Sequence, residues 1–405
     1  MPSGFSMGSR ASALTTSPPR MWCGTRLWRR SSKRMRRTIR RADRRAARRQ
    51  TDMTAPLRHR ASEASLPHAV PLGPEGVTRG WLGAALGRDV SDLRLVRVGV
   101  DEGFTGTRLY RAEIGGGASV IVKLASEDAA LRARFAAENA REVAFYHHYA
   151  EGLPVPRCYH AASDAEAGAS VVVLEDLGGA RSVPFVTGLS RDEAEAAVRA
   201  LARCHAAHWG AAGLADLPGA SVAQELGFAA CWDGYAQALQ GLLPGADLSP
   251  EVLALGAAMA RDAAAVLGPI LDDGVLTLRH GDVQADNLMF DGPGAVLLDW
   301  QFMARGRGGS DLAYLLISSL EPEVRRAHEA ALIACYLNAL QEQGIAYEHA
   351  ALWRDYRRGV AVKLLMSVVA TVGMDNQGAA KQAWRRADLA RLLAFAADHG
   401  AGEAA

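Results

Sequence analysis

The chain has 405 residues and a formal net charge of only +2, but this sum conceals two parts of opposite charge. Residues 1–52 carry fifteen Lys/Arg against two acids, whereas residues 53–405 carry thirty-one against forty-two. A hydrophobic content of 49% and a charged content of 22% are those of an ordinary globular protein, which excludes wholesale disorder and a coiled coil. The body is long enough for one large domain or two smaller ones.

Membrane insertion and secretion are not expected. No uninterrupted apolar stretch reaches the ~20 residues of a membrane span, and Lys363 interrupts the nearest candidate, Gly359–Met374. The five cysteines show no CxxC spacing, which argues against a zinc cage and against a disulfide framework. We therefore expect a cytoplasmic protein.

Residues 1–76 are predicted to be a disordered basic leader, because Arg and Ser dominate the first part without apolar periodicity. Three interpretations of the leader stay open. It is a nucleic-acid-binding arm, an organelle transit peptide, or an upstream extension that is not translated before Met53. The acidic body itself is not expected to bind nucleic acid.

Residues 77–177 are predicted to form an amino-terminal lobe with an antiparallel meander. Its strands are Leu93–Val100, Arg108–Ile114 and Ser119–Ala125, joined by hairpin-length links, and Val171–Leu174 is a further strand. One helix is expected from about Glu127 to Ala150, with an apolar face of Leu131, Phe135, Phe145 and Tyr149.

The same helical face passes through two carboxylates, Glu138 and Glu142. A carboxylate on an inward face is costly unless it has a partner. This pattern therefore predicts a buried cation nearby.

Residues 178–400 are predicted to form a larger, mostly helical lobe. Helices are expected near 251–271, 311–320, 323–343, 350–372 and 378–398, and Ser190 begins another with capping-box spacing. Within this lobe, His205 is interpreted as a packed core histidine. Asp311 is interpreted as a structural residue that caps a helix or braces a neighbouring loop.

The segment from His280 to Asn287, followed by Asp299, carries the most chemistry. Asp282 and Asn287 lie five residues apart in a polar loop, and Asp299 ends the short hairpin that follows. Because a hairpin brings its two ends together, Asp299 is expected to lie close to Asn287. Asp and Asn oxygens suit Mg²⁺, so Asn287 and Asp299 are candidate metal ligands. Asp282 is then available to accept a proton from an attacking hydroxyl. This is the set of groups used in kinase phosphoryl transfer.

Three further features of the amino-terminal lobe fit phosphoryl transfer. Lys123 lies on the third strand, where it can meet nucleotide phosphates, and Glu142 is preferred over Glu138 as its ion-pair partner. The turn 101–107, with Gly103, Phe104 and Thr105, lies where a phosphate-covering loop belongs. Residues 175–177, which include Glu175 and Leu177, are placed to link the lobes and bind the purine edge through their backbone.

These motifs resemble the aminoglycoside phosphotransferase and choline kinase superfamily. The resemblance covers roughly residues 78–400 and is carried by His280-Gly-Asp282 with Asn287, by Leu298–Gln301 and by Asp311–Tyr314. Leu174–Leu177, Glu142–Tyr146 and the Trp-Gln pair after Asp299 look most like its ecdysteroid-kinase-like branch.

The resemblance implies an α+β, two-lobed, protein-kinase-like fold and ATP- and Mg²⁺-dependent phosphorylation of a small-molecule hydroxyl. It also implies Asp282 as the base, with Asn287 and Asp299 on the metal. Only about ten residues separate Asp299 from Asp311, which leaves no room for a long activation loop and argues against a protein substrate.

The acceptor stays open at this point. Residues 178–405 hold eighteen Lys/Arg against twenty-six acids, which fits a cationic acceptor such as an aminoglycoside or choline, while neutral sterol-like alcohols fit equally well. A non-catalytic nucleotide-binding protein that acts through partners is the alternative function.

Overall fold

The computed structural model describes residues 69–99, 107–245, 247–373 and 378–401. The chain divides into two compact units, Met1–Ser62 and Glu63–Ala405, and all described residues belong to the second. The predicted loop residues Gly103, Phe104 and Thr105 lie outside the described residues. Residues 1–68 of the predicted leader also lie outside them. Residues 74–76 of that leader form a 3-10 helix, so its last part belongs with the folded body.

The amino-terminal lobe is built on a five-stranded antiparallel sheet, in the order β1-β2-β3-β5-β4. Its elements are α1 (Arg79–Leu86), β1 (Arg94–Val98), β2 (Arg108–Glu113), β3 (Ser119–Leu124), α2 (Ala129–Arg134), α3 (Ala136–His148), β4 (Cys158–Asp164) and β5 (Ala169–Glu175). The three predicted meander strands are confirmed to within two residues. The edge strand β4 was not predicted, because its sequence is poor in the β-branched and aromatic residues that favour strands.

Two helices replace the single helix predicted from Glu127 to Ala150. Asp128 caps α2 by accepting from the amides of Ala130 and Leu131, and the helix breaks at Phe135 (φ −108°, ψ 15°). Because of this break, Leu131 does not share the inward face and is exposed. The prediction of one continuous apolar face was therefore wrong for α2, although it holds for Phe145.

Successive side chains of β3 point to opposite faces of the sheet, and only one of these faces packs against helix α3. Val120 and Val122 pack with Tyr110, Val171 and Val173 on one face of the sheet. Ile121 packs on the other face, in the cluster that includes Val143 of α3. Lys123, two residues beyond Ile121, shares this second face.

The carboxyl-terminal lobe is mainly helical. Its elements are β6 (Arg181–Ser182), α4 (Arg191–Ala207), α5 (Val222–Glu225), α6 (Phe228–Leu242), α7 (Pro250–Leu271), β7 (Thr277–Arg279), β8 (Leu288–Asp291), β9 (Gly294–Leu297), β10 (Ala304–Gly306), α8 (Gly308–Ser319), α9 (Pro322–Glu342), α10 (His349–Gly373) and α11 (Ala379–His399). The Ser190 capping box and the five numbered helices are confirmed; α6 was not predicted. The α+β class with a small antiparallel lobe and a larger helical lobe is confirmed.

Among the described residues, one helix, α7, is long and apolar enough to cross a membrane by length and composition alone. A buried core helix passes the same test. Several apolar residues of α7, including Leu255 and Leu267, lie in the main hydrophobic cluster, and α7 contacts α6 and α10.

Candidate active site

The loop that carries Asp282 follows the short buried strand β7 and is fixed by Asp311 of α8. One Asp311 oxygen accepts from the backbone amide of His280 (2.6 Å), and the other accepts from the amide of Gly281 (3.2 Å) and from Arg279 (3.1 Å). Both carboxylate oxygens are therefore used inside a fully buried site. The prediction that Asp311 is structural is confirmed in its bracing form.

His205, which was predicted to be a packed core histidine, and His280 occupy the same core. His205 is fully buried, with Nδ1 2.6 Å from the Tyr336 hydroxyl and Nε2 3.4 Å from Asp311. His280 is also buried, and its Nε2 lies 2.8 Å from the carbonyl of Leu298. His205 therefore contacts the acid that fixes the loop carrying Asp282, and His280 joins that loop to the segment of Leu298.

Gly281 allows the loop to turn toward the cavity. Its φ is +82°, a conformation that side chains rarely adopt, and a Cβ at this position would lie 2.0 Å from the carbonyl oxygen of Phe302. A larger residue would therefore displace either the loop or the segment after Asp299.

Hydrogen bonds hold both carboxylate oxygens of Asp282. The Tyr314 hydroxyl donates to Oδ1 at 2.7 Å, and the Asn287 amide donates to Oδ2 at 3.1 Å. Burial is the largest influence on this group and raises the pKa of Asp282 to about 7. A carboxyl group with a pKa near neutrality suits proton transfer at physiological pH.

The buried cation predicted beside α3 is Lys123, and its preferred partner is Glu142. Lys123 Nζ lies 2.7 Å from Glu142 Oε2 and 3.0 Å from Asp299 Oδ1. Burial lowers the pKa of Lys123, but the charges of Asp299 and Glu142 more than offset this and raise it overall. Glu138, the second candidate, is buried on the same helix but forms no salt bridge described for Lys123.

Asp299 follows β9 in a strained backbone conformation. It is the only non-glycine residue in the described part of the chain with a positive φ (63°). Its side chain is 35% exposed and faces the same cavity as Lys123, Asp282 and Asn287. Backbone strain of this kind collects at functional sites.

The segment between the lobes also lines the cavity. Glu175, Leu177 and Gly178 contribute to its wall, and Asp176 is fixed by Arg111 (2.6 Å) and Ser119 (2.7 Å). The backbone N–H of Glu175 donates to the carbonyl of Arg157 at 2.8 Å. A purine would therefore have to use other backbone groups of this segment.

One cavity of about 530 Å³ joins these residues. It is lined by both lobes, from Ile121 and Leu174 of the sheet to residues of helices α10 and α11. Trp384, one of the aromatic residues that the sequence offered as possible pocket lining, does line the cavity, but sequence reasoning assigned no cavity role to Tyr314, Lys363, Arg385 and Asp388. A signal was available for Lys363, because this lysine interrupts the otherwise apolar stretch Gly359–Met374.

The donor set fits a hard divalent cation. Asn287 Nδ2 is turned toward Asp282, donating to its backbone carbonyl at 2.9 Å, so the amide oxygen of Asn287 can serve with the Asp299 carboxylate as a ligand. In the described residues no group of three or more His, Cys, Asp or Glu side chains is placed to hold a metal. Phosphate oxygens and water would therefore complete the coordination, which is usual for Mg²⁺.

The sequence matches the phosphotransferase enzyme family over residues 99–355, which is more than half of the chain. The chain therefore belongs to this family, whose members phosphorylate small molecules. Comparison with curated protein sequences gives no match. Nothing in the family match singles out the ecdysteroid-kinase-like branch, which stays a prediction.

Solved structures of three kinases are similar to this chain. Choline kinase LicA from Streptococcus pneumoniae is 15% identical, with 78% of this chain and 98% of that one covered and a TM-score of 0.48. Amicoumacin kinase hAmiN, in complex with AMP-PNP, Ca²⁺ and Ami, is 14% identical, with 74% and 87% covered and a TM-score of 0.47. A choline/ethanolamine kinase family protein from Mesorhizobium loti is 17% identical, with 78% and 92% covered and a TM-score of 0.44.

Proposed function

We propose that this chain is an ATP- and Mg²⁺-dependent kinase that transfers the γ-phosphoryl group of ATP to a hydroxyl of a small molecule, in the cytoplasm. One observation carries the proposal: Lys123, paired with Glu142 and Asp299, faces the same cavity as Asp282 and Asn287. Kinase phosphoryl transfer requires an ion-paired lysine for the phosphates, which Lys123 would supply. It also requires an acid for the acceptor hydroxyl and oxygen ligands for the metal, which Asp282 and the pair Asn287 and Asp299 would supply.

In this mechanism, Asp282 accepts the proton of the acceptor hydroxyl as its oxygen bonds to the γ-phosphorus. The bond from the γ-phosphorus to the β–γ bridging oxygen breaks, and ADP leaves. Lys123 neutralises charge on the phosphates, and Glu142 holds it in position. A bound Mg²⁺ held by Asn287 and Asp299 supplies charge neutralisation on the phosphate oxygens.

The variant Asp282→Asn tests the assignment, because it keeps the shape of the side chain and removes its ability to accept a proton. We expect phosphate transfer to fall by about 10³-fold or more, while binding of ATP, measured by calorimetry, stays within about threefold of wild type. Transfer at wild-type rates would contradict the assignment of Asp282 as base. ATP binding without transfer to any acceptor by the wild-type chain would favour the non-catalytic alternative.

A further inference from the structure

Lys363 is a buried cation in an otherwise apolar stretch of helix α10. Only 1% of its surface is exposed, and it lines the same cavity as Asp282 and Tyr314. Its ammonium forms an ion pair with Asp388 of α11. Replacing a buried ion pair by apolar side chains of similar volume is often neutral or stabilising. Stability alone therefore does not account for a lysine at this position.

The ion pair is held in place by both helices. Ser367 lies one turn after Lys363 on the same face of α10, and its hydroxyl donates to Asp388 at 2.6 Å. Ser367 and Asp388 are both buried. Because Asp388 contacts two residues of α10, it fixes the position of the Lys363 ammonium.

Gly359 brings α10 close to α8 and so determines what Lys363 contacts. A Cβ at Gly359 would overlap the Cβ of Ala313, so the two helices approach more closely here than any side chain would allow. Lys363 lies one turn after Gly359, and Tyr314 follows Ala313. The close approach therefore places the Lys363 ammonium 4.5 Å from the centroid of the Tyr314 ring.

The Tyr314 ring connects this cation to the proposed base. The ring is buried, and its hydroxyl donates to Asp282 Oδ1 at 2.7 Å. A separation of 4.5 Å lies within the range of a cation–π contact, and this attraction is stronger where water is excluded. The contact favours one orientation of the ring, and the orientation of the ring sets the position of its hydroxyl.

We propose that Lys363 is a positioning residue for phosphoryl transfer: it holds the Tyr314 ring so that the Tyr314 hydroxyl keeps Asp282 in its reactive orientation. The inference rests on the proposed kinase function. The other lysine of the cavity, Lys123, pairs with Glu142 instead, so the two lysines have different tasks. Misplacement of a catalytic group lowers the rate of the chemical step, so we expect the loss of Lys363 to appear in kcat.

Phosphate release from ATP, with water as the acceptor, measures the action of the base without an identified alcohol. The full chain is assayed with ATP and Mg²⁺, and Asp282→Asn gives the background. Release by the wild type that does not exceed this background would overturn the kinase function. The crystal structures described below would then decide the positioning contact by themselves.

Lys363→Met removes the cation and keeps the length of the side chain. We expect kcat for phosphate release to fall roughly 3- to 30-fold, the range of a cation–π contact, while KM for ATP stays within about twofold. Stability should fall as well, because the charge of Asp388 stays buried without its ammonium.

The double variant Lys363→Met with Asp388→Asn separates the two effects. It removes both charges and keeps an acceptor for the Ser367 hydroxyl, so it should recover most of the stability but not the kcat. A kcat that recovers together with the stability would show that Lys363 serves folding only, which would overturn the inference.

Asp355→Asn is the matched control, because it breaks another buried ion pair of the same helix. Asp355 lies two turns before Lys363 on α10, pairs with Arg307 at 2.5 Å and is absent from the described residues that line the cavity. This variant should lose stability and keep kcat within about twofold of wild type. A loss of kcat equal to that of Lys363→Met would count against a specific role of Lys363.

A second comparison shows whether Lys363 acts through the Tyr314 hydroxyl. If it does, its removal matters only while that hydroxyl is present. Lys363→Met should therefore lower kcat by less than about twofold in the Tyr314→Phe background. Losses that multiply would show that Lys363 acts on the reaction by another route, and the proposed connection through Tyr314 would be wrong.

Crystal structures of the wild type and the double variant provide a readout that does not depend on activity. In the double variant, the Tyr314 hydroxyl should lie beyond about 3.5 Å from Asp282 Oδ1, instead of 2.7 Å. An unchanged distance would overturn the inference and leave the kinase function intact. A longer distance in a protein whose wild type releases no phosphate would support the contact and overturn the kinase function.

Discussion

Tyr314 holds the proposed base from inside the protein. Its fully buried ring lies under Lys363, and its hydroxyl donates to Asp282 Oδ1 at 2.7 Å. Asn287 holds the other oxygen. With both oxygens engaged, the Asp282 carboxylate has a single orientation toward the cavity, and an acceptor hydroxyl meets a base that is already positioned.

Tyr314→Phe removes this hydrogen bond while keeping the ring. We expect kcat to fall about tenfold or more, because a hydrogen bond to a charged group is worth roughly 1.5–3 kcal/mol, with little change in KM for ATP. Tyr356→Phe is the matched control, since that hydroxyl is equally buried and donates to Glu329 at 2.6 Å. The control should lose stability but keep its kcat, and an equal loss of kcat in both variants would count against a positioning role for Tyr314.

The pair Lys123 and Glu142 could be predicted from the sequence, whereas the residues that α11 contributes to the cavity could not. The two-residue period of β3 and the helical period of α3 bring Lys123 and Glu142 onto facing surfaces, so local patterns sufficed. Arg385 lies beside Arg386 on α11, and no local pattern distinguishes the two. Which of them faces the cavity depends on how α11 packs against α8 and α10, and that packing involves residues distant in sequence.

At the scale of elements, two contacts tie separate segments to the site. Phe145 of α3 stacks on Trp300 at 4.0 Å, which joins the helix carrying Glu142 to the residue after Asp299. Asp311 joins α8 to the loop that carries Asp282. The helical period over 127–150 placed Phe145 on the inward face, but it did not show the break at Phe135, and it could not predict the partner Trp300, which is distant in sequence.

Asp311→Asn should loosen the loop and lower the free energy of unfolding by about 3–5 kcal/mol at pH 7, because it leaves the buried Arg279 without its acid. Burial raises the pKa of Asp311, but Arg279, His205 and His280 more than offset this and hold it well below its usual range. The carboxylate therefore contributes stability above its unfolded pKa of about 4, and this contribution is lost as the pH falls further.

Urea unfolding of both proteins between pH 7 and pH 3 measures this effect. The gap in unfolding free energy between wild type and Asp311→Asn should be constant near neutrality and should narrow below about pH 4. A gap that stays the same down to pH 3 would show that the charge of Asp311 is not the stabilising feature.

At the scale of the whole molecule, the cavity is assembled from residues far apart in the chain. Ile121 and Leu174 belong to the sheet, whereas Asn287 and Asp299 belong to loops of the helical lobe, and Lys123 bridges the two by contacting Glu142 and Asp299. A nucleotide bound here would contact both lobes. Its binding should therefore stabilise both lobes together, and we expect the metal-dependent part of that effect to require the Asp299 carboxylate.

AMP-PNP with Mg²⁺, at about one hundred times its dissociation constant, should raise the free energy of unfolding by about 2.7 kcal/mol. Asp299→Asn should lose the part of this stabilisation that depends on Mg²⁺, and Asn tolerates the positive φ of this position, so the backbone is preserved. Asp291→Asn changes an exposed aspartate at the end of β8 and should behave as wild type. Melting curves with AMP-PNP, with and without Mg²⁺, measure all three proteins; a Mg²⁺-dependent shift that survives in Asp299→Asn would remove Asp299 from the metal site.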